Sequence, residues 1–261
     1  MNDIIALNIG QFALIYLLLI LVLVIMKKCN ISQTKLLMVA SIRMTVQLVL
    51  AGLILTYILE NPHPAFTLAY ILLITGFAIH TVLSRNKGVN KRFKIVVGFS
   101  LAIPGIAIVA FFIMVVVGVN IFNPQYTIPI SGMIIGNAMT GVSLGLKTFN
   151  ENIKSQRNKI DALINIGASP QRILTPFVNQ SIETALLPTL NSMIGMGIIF
   201  LPGMMTGQIL AGVQPTTAIL YQIAIIIAIS VVTCLSVFCT LYFGQKTLYN
   251  KRNQIMLSSS A

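Results

Sequence analysis

Apolar positions along this chain gather in long blocks rather than in the one-sided stripes of a soluble helix. Seven stretches, at about 8–26, 36–59, 65–83, 95–119, 128–146, 179–201 and 216–244, run for close to 20 residues or more with few charges. A helix rises 1.5 Å per residue, so about 20 apolar residues cross the hydrocarbon of a bilayer. The pattern predicts an all-α integral membrane protein with seven transmembrane helices. It changes character between 148 and 178, where Ile153, Ile160, Leu163, Ile164 and Gly167 recur at near-helical spacing among charged and amide residues. That spacing predicts a short amphipathic helix. Gly167-Ala168 ends it, Ser169 reads as an N-cap, and Pro170 opens a second helix that runs into span six. Pro176 and Pro188 are expected to kink that helix.

Composition agrees with the pattern. Hydrophobic residues make up 56% of the 261 positions and charged residues 8%, against roughly a quarter charged in a soluble domain. Such a chain has too little polar surface to face water. Of the 17 basic residues, all but Arg43 fall on one side of the predicted spans. Lys27, Lys28 and Lys35 lie between spans one and two, and Arg85, Lys87, Lys91, Arg92 and Lys94 between three and four. Lys147, Lys154, Arg157, Lys159 and Arg172 lie between five and six, and Lys246, Lys251 and Arg252 follow span seven. The alternate loops at 60–64, 121–127 and 213–215 hold none. The positive-inside rule makes the basic side cytoplasmic, with the N-terminus outside and the C-terminus inside. The net charge of +12 is then a topology signal, not a nucleic-acid-binding face.

Residues 1–11 carry no Lys or Arg and include Asp3, so the first block reads as a span rather than a signal peptide. One membrane domain covers 1–261, with no soluble domain and a polar cytoplasmic tail at 245–261. Seven spans do not divide into equal halves, which weighs against transporters built from paired repeats. Cys29, Cys234 and Cys239 form neither a disulfide framework nor a metal-binding pair.

Candidate chemistry concentrates in spans five and six. Gly132/Gly136 and Gly141/Gly145 are small residues four apart that let helices approach closely, either within one subunit or between two copies. Span six is polar for a membrane helix. Asn179, Gln180, Glu183, Thr184 and Asn191 share about half its circumference, as helix-to-helix glue or as the lining of a watery path together with Asn137 of span five. Arg43 and Gln47 sit one turn apart in span two, within snorkelling reach of the headgroups, and a structural ion pair between Arg43 and Glu183 is expected rather than a proton relay. Met133, Met139, Met193, Met196, Met204 and Met205 read first as packing and second as soft ligands. His63 and His80, on opposite sides of the membrane, make no metal site together. The stretch 203–212, between Pro202 and Pro215, looks too glycine-rich for a comfortable helix. Pro202, Gly203, Gly207 and Gly212 are therefore candidates for an exterior gate or close packing, beside possible cargo contacts from Met204, Met205 and Gln208.

Several of these segments are recognisable. IIGNAM at 134–139, LPTLNS at 187–192 and LPGMMTGQILAG at 201–212, with Arg43-x-x-x-Gln47-Leu48 and Ile166-Gly-Ala-Ser169, resemble the UPF0014 family of FetB-type permeases. The resemblance spans nearly the whole chain. It implies the permease subunit of an iron-export ABC transporter, pairing with itself as a homodimer and with a separate cytoplasmic ATPase, in the plasma membrane. Plant relatives are linked to aluminium tolerance. The chain has no G-x-x-x-x-G-K-[ST] loop, so it is not itself an enzyme. No cofactor is expected on it directly, and ATP is expected on the partner subunit. The run Asp161-Ala-Leu-x-x-x-Gly167 is loosely similar to the loop by which ABC permeases dock their ATPase. It departs in Asp161 and Leu163, which stand where Glu and Ala are usual. The resemblance thus implies coupling through Ile160, Asp161, Leu163, Ile164, Gly167, Ala168 and Ser169. The competing class is a secondary transporter or channel working without an ATPase. Glu183 is the only acidic side chain within a predicted span, which leaves such a pump few proton carriers. A membrane-embedded enzyme finds no catalytic cluster.

Overall fold

The structure, a computed structural model, describes residues 9–86 and 90–249. Expectations that fall on 1–8, on Lys87 and on 250–261, including Lys251 and Arg252, lie outside the described residues. Nine α-helices follow one another among the described residues. They are α1 Ile9–Lys28, α2 Thr34–Glu60, α3 Pro64–Arg85, α4 Lys91–Phe111, α5 Pro124–Ser155, α6 Arg157–Asn165, α7 Pro170–Gly195, α8 Gly203–Leu210 and α9 Pro215–Gln245. A π-helical turn, Phe112–Val117, continues α4 and ends at Gly118 with φ 75°.

Six of these, α1, α2, α3, α4 with its π turn, α5 and α9, are long and apolar enough to cross a membrane. The chain is a multi-pass membrane protein. The predicted sixth block differs from its expectation in both bounds and character. It is part of α7, which starts at Pro170 and stops at Gly195. At 1.5 Å per residue α7 is about 39 Å long, enough for a crossing, yet its polar residues keep it below the apolar standard of the other six.

Side chains cap three of the helix N-termini, where the first turn leaves backbone N–H groups open. His63 Nδ1 accepts from Ala65 N–H, Asn90 Oδ1 from Phe93 N–H and Asn123 Oδ1 from Gln125 N–H at three N-termini. At the C-terminus of α1, Asn30 takes φ 52°. Ile31 N–H reaches back to Met26 C=O and Asn30 N–H to Lys27 C=O. Those two bonds define a left-handed helix cap, where Asn is the usual substitute for glycine.

Contacts divide the chain into two compact units: residues up to Pro62 with Leu210–Gly212, and His63–Ile209 with Val213 onward. In the first unit, α1 and α2 form an antiparallel hairpin. Thr45 gives its hydroxyl proton to Ser41 C=O, so the Tyr16 hydroxyl donates to Thr45 Oγ1. Leu14, Leu17, Leu21, Leu48 and Leu53 are exposed around both helices, the apolar coat of lipid-facing segments.

In the second unit α5 is central. Gly141 meets Thr233 and Val237, while Gly145 meets Val237 and Leu241, so α5 and α9 run parallel. Both glycines also approach Ala185, and Asn152 Nδ2 donates to Gln180 Oε1 at 3.1 Å, so α7 runs antiparallel to α5. Gly244 lies against the Phe93 ring and Asn90 Nδ2 donates to Thr247 C=O, which sets α4 antiparallel to α9. The start of the expected polar tail is therefore anchored. Gln245 is buried, and Leu248 and Tyr249 pack on the core.

The two glycine pairs of α5 separate cleanly. A Cβ at Gly145 would sit 3.3 Å from both Ala185 Cβ and Val237 Cγ1, whereas one at Gly132 or Gly136 would meet nothing within 4 Å. Overpacking a tight contact costs about 1–3 kcal/mol. Gly145→Leu should lower the thermal unfolding temperature of the detergent-purified protein clearly. Gly136→Leu should leave it unchanged; equal losses in the two variants would refute this packing.

Candidate functional site

The amphipathic segment forms α6, joined to α7 by a tight reversal. Gly167 has φ 83°. Its N–H bonds Ile164 C=O at 2.9 Å and Ala168 N–H bonds Leu163 C=O at 3.0 Å. This is the double bond of a glycine-terminated helix, with Leu163 and Ala168 as its apolar pair. Ser169 occupies the N-cap position of α7 with Pro170 next, as expected, but its hydroxyl makes no capping bond.

The apolar stripe of α6 points partly the wrong way for docking. Ile160 is 0% exposed, within the cluster that includes Ile153, Ile173 and Leu174. It cannot insert into a partner, because α6 lies on α5 and α7 and uses Ile160 to hold itself there. Leu163 and Ala168 are partly buried against the same core. What faces outward is Asp161, Ile164 at 37% exposed and Ile166 at 79%. Ile166 went unselected in the sequence because it falls at the helix end, off the stripe.

On α7, Asn179, Gln180, Glu183 and Asn191 are exposed, and Thr184 is half-buried. Of the path candidates, Asn137 lines a cleft. That cleft, about 80 Å³, lies among α5, α7 and α9 and draws its polar lining from Asn137, Thr140, Thr189 and Ser192. Thr140, Thr189 and Ser192 were not singled out in the sequence. Isolated hydroxyls are common in membrane helices, and only the approach of α5 to α7 brings these together. Arg43 and Gln47 are exposed one turn apart on α2, in the other unit.

The stretch expected to resist helix formation is helical from Gly203 to Leu210. Pro202 C=O accepts from Thr206 N–H at 2.9 Å and opens the helix. Gly203 falls at its first position, where low propensity matters little, and Met, Gln and Leu favour the helix around the interior Gly207. Met205 is buried and Met204 packs on the core, as filler. Gln208 is half-buried. A Cβ at Gly203 or Gly207 would meet nothing within 4 Å, so neither glycine is held by close packing. Gly212, with φ 90°, is required by its backbone. Met196 Sδ accepts from Gln222 Nε2 at 3.7 Å. Among the described residues no group of three or more His, Cys, Asp or Glu could hold a metal ion.

Residues 9–249 match the family model described as "Uncharacterised protein family (UPF0014)". The chain is 30% identical to "Probable iron export permease protein FetB" of Escherichia coli, over 95% of each chain. It is 31% identical to "UPF0014 membrane protein YjkA" of Bacillus subtilis, over 94% of this chain and 98% of that one. Identity to "Protein ALUMINUM SENSITIVE 3" of Arabidopsis thaliana is 31%, over 82% of this chain and 77% of that one. No solved structure gives a significant match.

The two isoleucines at the ends of α6 should separate in stability. Ile160→Ala opens a cavity in a sealed site, at a cost of about 2–5 kcal/mol, and should lower the unfolding temperature strongly. Ile166→Asp changes an exposed side chain and should stay within about 0.5 kcal/mol of the parent. A thermal melt of both variants decides it.

Proposed function

The chain belongs to the UPF0014 family, and on that footing we propose that it is the membrane-spanning permease half of an ABC exporter for a metal species. It works as a homodimer in the plasma membrane, driven by ATP hydrolysed on a separate cytoplasmic subunit. The observation that carries this reading is the near-complete, end-to-end correspondence with a protein named "Probable iron export permease protein FetB". The exposed, glycine-terminated α6 supports it, since a helix presenting Asp161, Ile164 and Ile166 beyond the bundle suits a coupling contact.

We further propose that α7 is a seventh crossing. The support is directional. Helices α5 and α9 run parallel, so α5 ends on the side where α9 ends. The chain between them must return to the opposite side before α9 can start, and α7 is the segment long enough to do so. With basic residues flanking one set of ends, the N-terminus lies outside and the C-terminus inside. The exposed amides and Glu183 of α7 then need cover from a second copy or from a watery path, because hydrocarbon supplies no polar partner.

Two measurements test these readings. In a background with Cys29, Cys234 and Cys239 replaced, Asn61→Cys and Gln125→Cys should react with an impermeant thiol reagent in intact cells. Arg92→Cys and Ser155→Cys should react only after lysis, and labelling of either from outside would reverse the topology. Affinity purification of the tagged chain should bring down a P-loop ATPase, and Ile164→Asp combined with Ile166→Asp should abolish that association without loss of folded protein. Full transport with no ATPase subunit would instead favour a secondary transporter.

A further inference from the structure

The cleft among α5, α7 and α9 has an unusual chemical polarity. Its polar lining is Asn137 and Thr140 from α5 with Thr189 and Ser192 from α7, against Ile226 and Ile229 of α9. Three of these side chains have already given away protons to their own helices. Asn137 Nδ2 donates to Met133 C=O at 2.8 Å, Thr140 Oγ1 to Gly136 C=O at 3.0 Å, and Ser192 Oγ to Pro188 C=O at 2.9 Å. What Thr140 and Ser192 have left for the cleft is lone pairs on their Oγ atoms, while Asn137 keeps the lone pairs of Oδ1 beside its second amide N–H. No charged side chain, histidine or cysteine lines the space.

We propose that this cleft is a transient site for a hard cation that keeps part of its water shell, the cargo of the permease. The proposal rests on the transport reading above and names the chemistry of its cargo. Neutral oxygen acceptors select hard cations over soft ones and disfavour anions. A water needs on the order of 10–15 Å³ of accessible space, so 80 Å³ holds an ion with several waters. With no carboxylate in the lining, binding stays weak enough for the ion to leave again, as a conducting path requires. Asn137 lies near the middle of α5, where an uncovered set of acceptors would otherwise face hydrocarbon.

The test uses the full chain in lipid nanodiscs without any ATPase, with Mn²⁺ as the probe and free Mn²⁺ read by electron paramagnetic resonance. One ion per chain should bind, and Mg²⁺ should displace it while Ag⁺ should not. Thr140→Val with Ser192→Ala removes two acceptors with little change of shape and should weaken binding about tenfold or more. Thr140→Ser keeps the hydroxyl and should bind as the parent does, which guards against a folding artefact. No saturable Mn²⁺ binding by the parent chain, unchanged binding by the double variant, or displacement by Ag⁺ would each overturn the site. Loss of binding in the double variant, in a chain that recruits no ATPase and moves no metal, would keep the site and overturn the permease reading instead.

Discussion

A backbone amide inside hydrocarbon has no water to bond, and almost every feature of this chain follows from that constraint. Each crossing segment must be a helix, and some helix ends close on a neighbouring side chain. Asn90 illustrates how much one such closure carries. Its Oδ1 caps α4 while its Nδ2 holds Thr247 C=O beyond α9, so a single amide secures one helix start and one helix end. Once the backbone is satisfied, lipid gives helices little reason to associate apart from close packing and polar contacts. The central helix α5 supplies the first through Gly141 and Gly145, where Ala185 of α7 and the side chains of Thr233, Val237 and Leu241 of α9 leave little room for a Cβ. Its partner Thr233 turns a methyl group into that contact.

Much of this was legible in the chain itself. Long apolar runs locate five of the membrane helices within a few residues, because an apolar surround on all sides leaves no periodicity to misread, while α5 runs on to Ser155, past the predicted end at 146. The α6–Gly167–α7 reversal was equally readable, since a glycine after an amphipathic run and a Ser-Pro pair after the glycine each have a backbone reason to be there. What could not be read was direction around a helix axis. Ile160 and Ile164 belong to one stripe in the sequence, yet the first faces α5 and α7 and the second faces out. Only the neighbours decide between them. The same holds for the glycine pairs of α5, which are equivalent in spacing and differ wholly in surroundings.

The segment at 203–212 was misjudged for a different reason. Of its glycines, Gly203 falls in the first turn, where it costs little, and Gly212 lies past the last, so Gly207 is the one glycine in the helix interior. The π-helical turn at Phe112–Val117 left no mark in the sequence at all. Its residues are an apolar run like any other, and the extra residue per turn is closed by Gly118 in the left-handed region and by Val119 N–H reaching Ile113 C=O.

The polar side chains of α7 divide by what they cost. Hydroxyls are cheap at membrane depth, because each can return its proton to the carbonyl one turn back. Thr175, Ser181, Thr184 and Ser192 all do so. Amides and carboxylates cannot close on themselves so completely. Gln180 finds a partner in Asn152 of α5, but Asn179, Glu183 and Asn191 remain exposed on the protomer. A helix meant only to pack would carry the hydroxyls and omit these. Keeping them on α7 ties their cost to something that polar groups alone can do. Under the transport reading proposed above, that role would be to face water, cargo or a second copy of the chain.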